Sequence, residues 1–151
     1  MSAIALVDSN VLVAIVATEH QHHGFSLPFG ALFQRLRFAV ASHSFAEAYN
    51  TLTRGGIRGP FRFSPDEALA VLEDLRSRSD LLGQTPSQAF DGIRQFALVG
   101  GIGPRLYDKL IGDVAVLHGI SIIVTWNTTH MTGLFPRLTV QTPPEFVIAG
   151  S

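Results

Sequence analysis

Apolar residues occur along the chain in short uninterrupted runs that alternate with segments of helical periodicity. An apolar run without polar alternation is typical of a strand covered on both faces, as in a parallel sheet. Such runs predict strands at Ile4–Val7, Phe38–Ala41, Ile122–Val124 and Leu138–Val140, and Asp80–Gly83 is predicted as either a short strand or a tight link. Alternating strands and helices, without a repeat or a linker, predict one α/β domain over residues 1–151 with a mainly parallel central sheet.

Helical segments are predicted where apolar residues recur every three or four positions, or where capping residues precede such a stripe. The predicted helices are Val11–Thr18, Ala31–Arg37, Phe45–Arg54 and three more that begin near Pro65, Pro86 and Pro104. Capping boxes are predicted at Ser64 and Thr85, each followed by proline, and Ser44 has the same spacing to Glu47. Irregular structure is predicted for Phe25–Phe29 and for a polar turn after Asn127, and Pro143 and Pro144 are expected to close the domain before a short apolar tail.

Three apolar stripes are predicted to face the core. They consist of Leu69, Leu72 and Leu75; of Phe90, Ile93, Phe96 and Ala97; and of Tyr107, Leu110, Ile111, Val114, Ala115 and His118. The last stripe belongs to a helix that ends at Gly119 and leads into the strand Ile122–Val124. Polar residues lie at the edges of these two elements, with Asp108 in the first helical turn and Thr125 and Asn127 after the strand.

The amino-acid composition limits the cellular compartment and the kinds of binding partner expected for the protein. The chain is 46% hydrophobic, and none of its apolar runs approaches the roughly 18 residues of a membrane span. The absence of cysteine excludes thiolate catalysis and cysteine-ligated zinc, and it fits a cytoplasmic protein. The first residues, MSAIALVDSN, have no basic region and are expected to form a strand rather than a signal peptide. With a formal net charge of -1, any contact with nucleic acid requires a local basic patch.

Three acidic residues lie at element boundaries beside apolar sequence: Asp8 after the first strand, and Glu47 and Asp108 in the first turns of helices. The carboxyl ends of parallel strands lie at one edge of a sheet, so these three carboxylates can share one pocket. Clustered carboxylates repel one another, and a hard divalent cation relieves that repulsion, which makes Mg²⁺ or Mn²⁺ the expected occupant. Such a cation activates water and stabilises the charge of an in-line phosphoryl transfer.

Two of the three acids also have a structural interpretation. Glu47 can serve as the capping-box partner of Ser44. Asp108 is favoured near a helix N-terminus by the macrodipole. Asp8 has no comparable explanation, because an acid that closes a buried apolar strand has no obvious partner in the sequence.

Other polar residues are interpreted as surface. Asp113 is a fourth candidate acid, but five residues at about 100° each place it about 140° around the helix from Asp108. Lys109 offers it a simple ion pair four residues earlier. The cluster of Glu19, His20, His22 and His23 is interpreted as solvated surface rather than as a metal site, and His130 as a residue at the rim of the pocket.

Four segments resemble, in order and spacing, the motifs of the PIN-domain nucleases, and within them the VapC-like toxins of bacterial toxin–antitoxin pairs. They are IALVDSNVLVAI with the first acid, ASHSFAEAYNTLTR with the second, LYDKLIGDVAVLHGISIIVTWN with the third, and TVQTPPEFV as the closing strand. Together they cover nearly the whole chain. The resemblance implies a single PIN domain with a PIN-like three-layer α/β/α sandwich.

The resemblance also implies a function. It predicts a metal-dependent endoribonuclease toxin that cleaves tRNA, rRNA or mRNA and is inhibited by a VapB-like antitoxin. Asp8, Glu47 and Asp108 would hold Mg²⁺ or Mn²⁺, and water activated by the metal would attack an RNA phosphodiester. A cytoplasmic homodimer without a membrane segment is expected from the same family.

Further residues around the acids are assigned supporting roles. In the resemblance, Ser9 and Thr125 would orient water or a carboxylate. Where the family often has a fourth acid, this chain has Asn127, which adds no negative charge and leaves the choice between one and two metals open. Lys109 and Gly112 replace commoner small residues of the third motif. Arg54, Arg58 and Arg62 lie in the loop RGGIRGPFRF with two phenylalanines, and they are candidate RNA contacts or, alternatively, a solvated connection.

Two other functional classes are alternatives to a nuclease. A PIN-like fold without catalysis would act as a binding module, and the missing fourth acid favours it. An aspartate-nucleophile phosphotransferase resembling the haloacid dehalogenases also has an acid after its first strand. That class needs a second aspartate where this chain has Asn10, so it ranks last.

Overall fold

Within residues 2–55 and 61–149, which the computed structural model describes, five parallel strands form one central sheet. The strands are β1 (Leu6–Val7), β2 (Phe38–Ala41), β3 (Ser79–Leu82), β4 (Ile122–Val124) and β5 (Thr139–Gln141). Their order across the sheet is β3-β2-β1-β4-β5, and every neighbouring pair is parallel. The carboxyl end of β1 therefore lies between those of β2 and β4.

Helices connect the strands and cover both faces of the sheet. They are α1 (Ser9–Val16), α2 (His23–Leu32), α3 (Ser42–Thr53), α4 (Pro65–Ser77), α5 (Pro86–Leu98), α6 (Arg105–Leu117), α7 (Thr128–Leu134) and α8 (Pro143–Ala149). One hydrophobic cluster joins a face of the sheet to α1–α4 and α8, and a second joins the opposite face to α6 and α7. This arrangement confirms the predicted three-layer α/β/α sandwich. None of the helices in the described part of the chain is long and apolar enough to cross a membrane.

The central strands are buried on both faces, which explains their uninterrupted apolar sequences. In β2, Phe38 and Val40 belong to the first cluster, whereas Ala39 and Ala41 belong to the second, as the two-residue alternation of a strand requires. The predicted bounds of β2 and β4 are confirmed. The segment predicted at Asp80–Gly83 is a strand, shifted by one residue to Ser79–Leu82.

Helix α2 contradicts the prediction of irregular structure for Phe25–Phe29 and of a helix over Ala31–Arg37. Phe29 is fully buried and packs against Phe33, Phe38 and Phe146. Pro28 lies inside the helix, where it lacks the N–H that would bond to the carbonyl of Gly24. Proline and glycine lower the helical propensity of this segment, and burial of its aromatic ring compensates.

Two further helices occupy segments for which no helix is predicted. α7 replaces the polar turn after Asn127, and α8 replaces the tail after Pro144. Met131 of α7 is buried in the second cluster, and Phe146 of α8 is buried in the first. Each helix has 7 residues, which is too short for a 3.6-residue period to be recognised in the sequence.

The predicted core stripes are correct only in part. Leu72, Leu75 and Phe96 are buried, but Leu69 is 51% exposed and Phe90 is 54% exposed. In α6, the buried members are Ile111, Val114 and Ala115, while Tyr107 and His118 are exposed. α5 packs mainly against α6 rather than against the sheet, so fewer of its apolar side chains are covered.

Candidate active site

Asp8 follows β1 directly and caps the N-terminus of α1. It is buried, and its carboxylate accepts hydrogen bonds from the Ser9 N–H and from the Thr125 hydroxyl, both at 2.8 Å. Its own backbone N–H donates to the carbonyl oxygen of Val124 at 3.0 Å, which ties this turn to β4. Burial raises the pKa of Asp8, and the hydrogen bonds from Thr125 and Ser9 partly offset that effect.

Thr125 is the centre of a hydrogen-bond network at the end of β4. Besides donating to Asp8, its hydroxyl accepts from Asn10 Nδ2 at 3.2 Å and from the Asn127 N–H at 3.0 Å. The Trp126 N–H donates to Asn10 Oδ1 at 3.1 Å, which closes the network. Asn10 is a component of the site that the sequence interpretation missed, and its D-x-N spacing from Asp8 is the signal that points to it.

Glu47 lies in α3, but the capping box predicted for Ser44 and Glu47 is wrong. The helix begins at Ser42, with Ala41 as its N-cap and no side-chain capping hydrogen bond, so Glu47 lies beyond the first turn. Because β2 continues directly into α3, Ser44 is already inside the helix. It is fully buried, and its hydroxyl has no hydrogen-bond partner among the described residues. Glu47 therefore has no helix-capping role in this structure. By contrast, the predicted capping boxes that begin α4 and α5 are confirmed.

The carboxylate of Glu47 is close enough to the other two acids to respond to their charges. Burial, together with the charges of Asp8 and Asp108, raises the pKa of Glu47 to about 7. Its Oε1 is buried and has no hydrogen-bond partner among the described residues. The Nε2 atom of His43 lies 3.8 Å from this oxygen, which is beyond hydrogen-bond distance.

Asp108 lies in the first turn of α6, as predicted, and is half-buried. Burial and the charge of Asp8 raise its pKa to about 6, whereas His130 and Arg105 act in the opposite direction. Each of these two carboxyl groups thus responds to Asp8, and Glu47 responds to both of the others. Asp8, Glu47 and Asp108 form one acidic cluster at the carboxyl edge of the sheet.

The acidic cluster has the donor chemistry that a hard divalent cation prefers. It combines three repelling carboxylates with a buried, unpartnered oxygen on Glu47. However, within residues 2–55 and 61–149, no three histidine, aspartate or glutamate side chains are arranged to hold a metal ion. Coordination by all three carboxylates therefore requires side-chain movement from this arrangement.

The other predicted site residues differ in their relation to the acidic cluster. Ser9 contacts Asp8 through its N–H, and Asn127 is exposed and joins the network through its backbone. Arg54 and Arg62 are exposed, while Arg58 lies outside the described residues. Phe61 is buried and stacks on the ring of His20 with centroids 5.9 Å apart, so its ring is not available for stacking on an RNA base.

The histidine segment is packed rather than solvated, contrary to the sequence interpretation. His20, His22 and His23 are all half-buried. His22 stacks on Trp126 with ring centroids 4.0 Å apart, and His23 Nδ1 lies 2.7 Å from the carbonyl oxygen of Ala14. Burial and the neighbouring histidines lower the pKa of His20. This segment covers the tryptophan that follows β4.

Asp113 and the unusual residues of the third motif have a packing role. Lys109 Nζ lies 2.5 and 2.6 Å from the two carboxylate oxygens of Asp113, which confirms the predicted ion pair. Lys109 also donates to Gln95 Oε1 of α5 at 2.8 Å. A Cβ atom at Gly112 would collide with the ring of Phe135. Lys109 and Gly112 thus fit α6 against α5 and against the end of α7.

Comparison with solved structures shows the fold. VapC20 of Mycobacterium tuberculosis, a toxin that cleaves the sarcin–ricin loop, has a TM-score of 0.66 and 14% identity, covering 85% of this chain and 94% of that chain. A chain of VapBC2 from Rickettsia felis, in a structure bound to a DNA fragment from the VapBC2 promoter, has a TM-score of 0.61 and 16% identity. The match covers 91% of this chain and 97% of that chain. No family model matches the sequence, and no curated protein matches it significantly. The predicted PIN-like fold is confirmed.

Proposed function

We propose that the protein is a metal-dependent endoribonuclease toxin of the VapC type, with Asp8, Glu47 and Asp108 as its catalytic and metal-holding residues. The observation that carries the proposal is the acidic cluster, in which burial, together with repulsion between the carboxylates, raises the pKa of Glu47 to about 7 and that of Asp108 to about 6. Such repulsion costs stability, so it is expected where it serves a function. The likeness of the fold to VapC20 and VapBC2 supports the same assignment.

The residues of the chain prepare the site for phosphodiester hydrolysis. Hydrogen bonds from Thr125 and Ser9 favour the ionised form of Asp8 against the effect of burial. Because its pKa is about 7, Glu47 releases its proton near neutral pH. The negative charge that remains then requires a cation nearby. When bound, Mg²⁺ or Mn²⁺ supplies that charge, lowers the pKa of water and stabilises the developing charge on the phosphate.

A VapB-like antitoxin is the proposed inhibitor. The Rickettsia felis structure is of a VapBC pair, which supports a partner of this type. A basic side chain of the antitoxin would neutralise the acidic cluster as a cation does and would exclude RNA from it. The cytoplasm is the proposed compartment, and tRNA, rRNA and mRNA are the proposed substrate classes.

The arginines of the segment before α4 are proposed RNA contacts. Arg54 and Arg62 are exposed there, and Arg58 lies outside the described residues. The formal net charge of the chain is -1, so contact with phosphates depends on such local groups.

A homodimer is also proposed, with the turn between α5 and α6 as its contact surface. Leu98 at the end of α5 is 86% exposed, and in the turn that follows Val99 is 78% and Ile102 84% exposed. Neighbouring large apolar side chains at such exposure are typical of an interaction surface, and a second copy would bury them.

The test is cleavage of structured and single-stranded RNAs by the purified protein in Mg²⁺, Mn²⁺ or EDTA. The variant is Asp8→Asn, which keeps the shape of the side chain and removes its charge. The matched control is Asp91→Asn, at an exposed acid of α5. Metal-dependent cleavage by the native protein and the control, lost in Asp8→Asn, is the expected result. Cleavage that persists undiminished in Asp8→Asn, or in EDTA, would overturn the proposal.

The second candidate is a catalytically inactive PIN-like module that binds RNA or protein. Asn127 at the position of the fourth acid favours it, as does the lack of a ready three-ligand set within the described residues. RNA binding that is indifferent to EDTA, without cleavage or Mn²⁺ binding, would select this function.

A further inference from the structure

Arg105 and His130 form a pair of exposed basic side chains beside Asp108. Arg105 lies in the first turn of α6, and His130 lies in α7. Arg105 Nη2 is 3.2 Å from His130 Nε2. A guanidinium group has no acceptor, so it must donate this hydrogen bond to an unprotonated ring nitrogen. Among the described residues, the remaining N–H groups of Arg105 have no acceptor and are available to a ligand.

This pair differs from the other basic residues for which the structure shows an ionic partner. Four of those residues are each paired with a carboxylate outside the acidic cluster: Arg37 with Asp80, Arg78 with Asp74, Arg94 with Asp91, and Lys109 with Asp113. Arg105 instead contacts the ring of His130, and both residues act on Asp108 from nearby. Within residues 2–55 and 61–149, Arg105 forms no salt bridge with a carboxylate.

A polar cavity lies next to the pair. It has a volume of about 220 Å³ and is lined by residues 126–130, which join the end of β4 to α7. His130 forms one wall of the cavity, and Trp126 forms another. The residues that line the cavity follow Thr125 directly in the chain, and the hydroxyl of Thr125 donates a hydrogen bond to Asp8. It is large enough to admit a phosphate group.

We infer that Arg105 and His130 are positioning residues that bind an RNA phosphate next to the scissile bond; the inference rests on the proposed function. Three carboxylates repel the phosphate backbone, and a neighbouring cationic group is needed to hold a nucleotide against that repulsion. The planar guanidinium of Arg105 binds phosphate oxygens through paired N–H groups. The hydrogen bond to His130, which lines the cavity, orients the guanidinium group before RNA binds.

The test is binding of a labelled single-stranded RNA oligonucleotide, measured by fluorescence anisotropy in EDTA so that no cleavage occurs. Replacing Arg105 with glutamine removes one charged phosphate contact, which weakens binding by about tenfold for a group of this exposure. The slope of log Kd against log salt should also fall, by about 0.7 for one lost contact to a single strand. His130→Gln should weaken binding less, because Arg105 keeps its charge.

Two further variants separate the charge of Arg105 from a structural effect. Arg105→Lys keeps the charge and should retain most of the salt dependence. Arg94→Gln removes an exposed arginine of α5 that already pairs with Asp91, and it should bind RNA as the native protein does. Loss of affinity shared equally by Arg94→Gln, or native affinity and salt slope in Arg105→Gln, would overturn the inference.

Failure of this inference is distinguishable from failure of the proposed function. Metal-dependent cleavage by the native protein, with unchanged RNA binding in Arg105→Gln, would refute only the role of Arg105 and His130. Absence of cleavage by the native protein, with RNA binding still weakened in Arg105→Gln, would refute the nuclease and leave the phosphate contact in place. Absence of RNA binding by the native protein would refute the contact.

Discussion

Replacing Glu47 with glutamine should stabilise the metal-free protein at neutral and alkaline pH. The pKa of this carboxyl group is raised from 4.5 to about 7 by burial and by the charges of Asp8 and Asp108. An acid whose pKa is higher in the folded protein binds its proton more tightly there than in the unfolded chain. Its contribution to stability is therefore most favourable below pH 4.5 and is lost as the pH rises through about 7.

The magnitude follows from the size of that difference. At about 1.4 kcal/mol per pKa unit, the change from 4.5 to about 7 corresponds to about 3 kcal/mol of unfavourable free energy when the group is ionised. The Glu47 side chain is 33% exposed, and solvent screening reduces the expected effect to about 1–2 kcal/mol. Glutamine has the same shape and no charge, so it should remove this cost.

The assay is the free energy of unfolding in urea with EDTA, for the native protein and for Glu47→Gln. The variant should be more stable by about 1–2 kcal/mol at about pH 8, with little difference well below pH 4.5, where the carboxyl group is protonated in both states. Glu73→Gln, at an exposed acid of α4, is the matched control and should show neither effect. Equal stability of the native protein and Glu47→Gln at about pH 8, or a gain independent of pH, would refute the reasoning.

Three further predictions concern the framework of the site and its assembly. Thr125→Val should lower the free energy of unfolding by about 2–3 kcal/mol and raise the pKa of Asp8 further, because Asp8 loses the hydrogen bond from the hydroxyl. Thr125→Ser keeps the hydroxyl and should change neither quantity much. Urea titration measures the stability, and a pH profile of Mn²⁺ binding reports the pKa. Gly112→Ala should destabilise by about 1–3 kcal/mol because its methyl group meets the ring of Phe135, and combining it with Phe135→Leu should recover part of the loss in thermal unfolding. Leu98→Glu should convert the proposed homodimer to a monomer in sedimentation velocity, and an unchanged sedimentation coefficient would contradict this contact surface.

The parts of the fold that follow from local sequence are those buried on both faces. Phe38–Ala41 and Ile122–Val124 are uninterrupted apolar runs because helices cover each side of these strands, and their bounds are confirmed. The same logic places Asp8 and Thr125 at one edge of the sheet, since parallel strands bring their carboxyl ends together. The order of the acidic residues in the chain then suffices to predict that they can meet.

The missed elements depend on contacts between distant residues. α2 contains Pro28, and its second residue is Gly24, so its local sequence does not favour a helix. It forms because Phe29 fills the core beside Phe38 and Phe146. The position of Glu47 in α3 was hidden by a different effect. Its spacing from Ser44 matches a capping box, but the continuation of β2 into the helix moves the N-terminus upstream. Local pattern cannot show where a preceding strand ends in space.

The pairing of Arg105 with His130 joins residues 25 positions apart, and the sequence alone contains no signal for it. α7, which carries His130, is too short to be predicted from periodicity, so the side of the site that it lines was unknown. The half-buried histidines against Trp126 have the same origin, because stacking on a tryptophan depends on the fold rather than on composition. Features of this kind require the three-dimensional structure.

The most direct test of the acidic cluster as a metal site is a calorimetric titration of the purified protein with Mn²⁺ near neutral pH. Native protein and Asp91→Asn should bind Mn²⁺ with the same affinity, because the exposed acid of α5 lies outside the acidic cluster. Asp108→Asn should bind at least tenfold more weakly, since one of three carboxylates loses its charge. Equal affinity in the native protein and Asp108→Asn, or no binding by the native protein, would contradict the assignment of Asp8, Glu47 and Asp108 as the metal-holding residues.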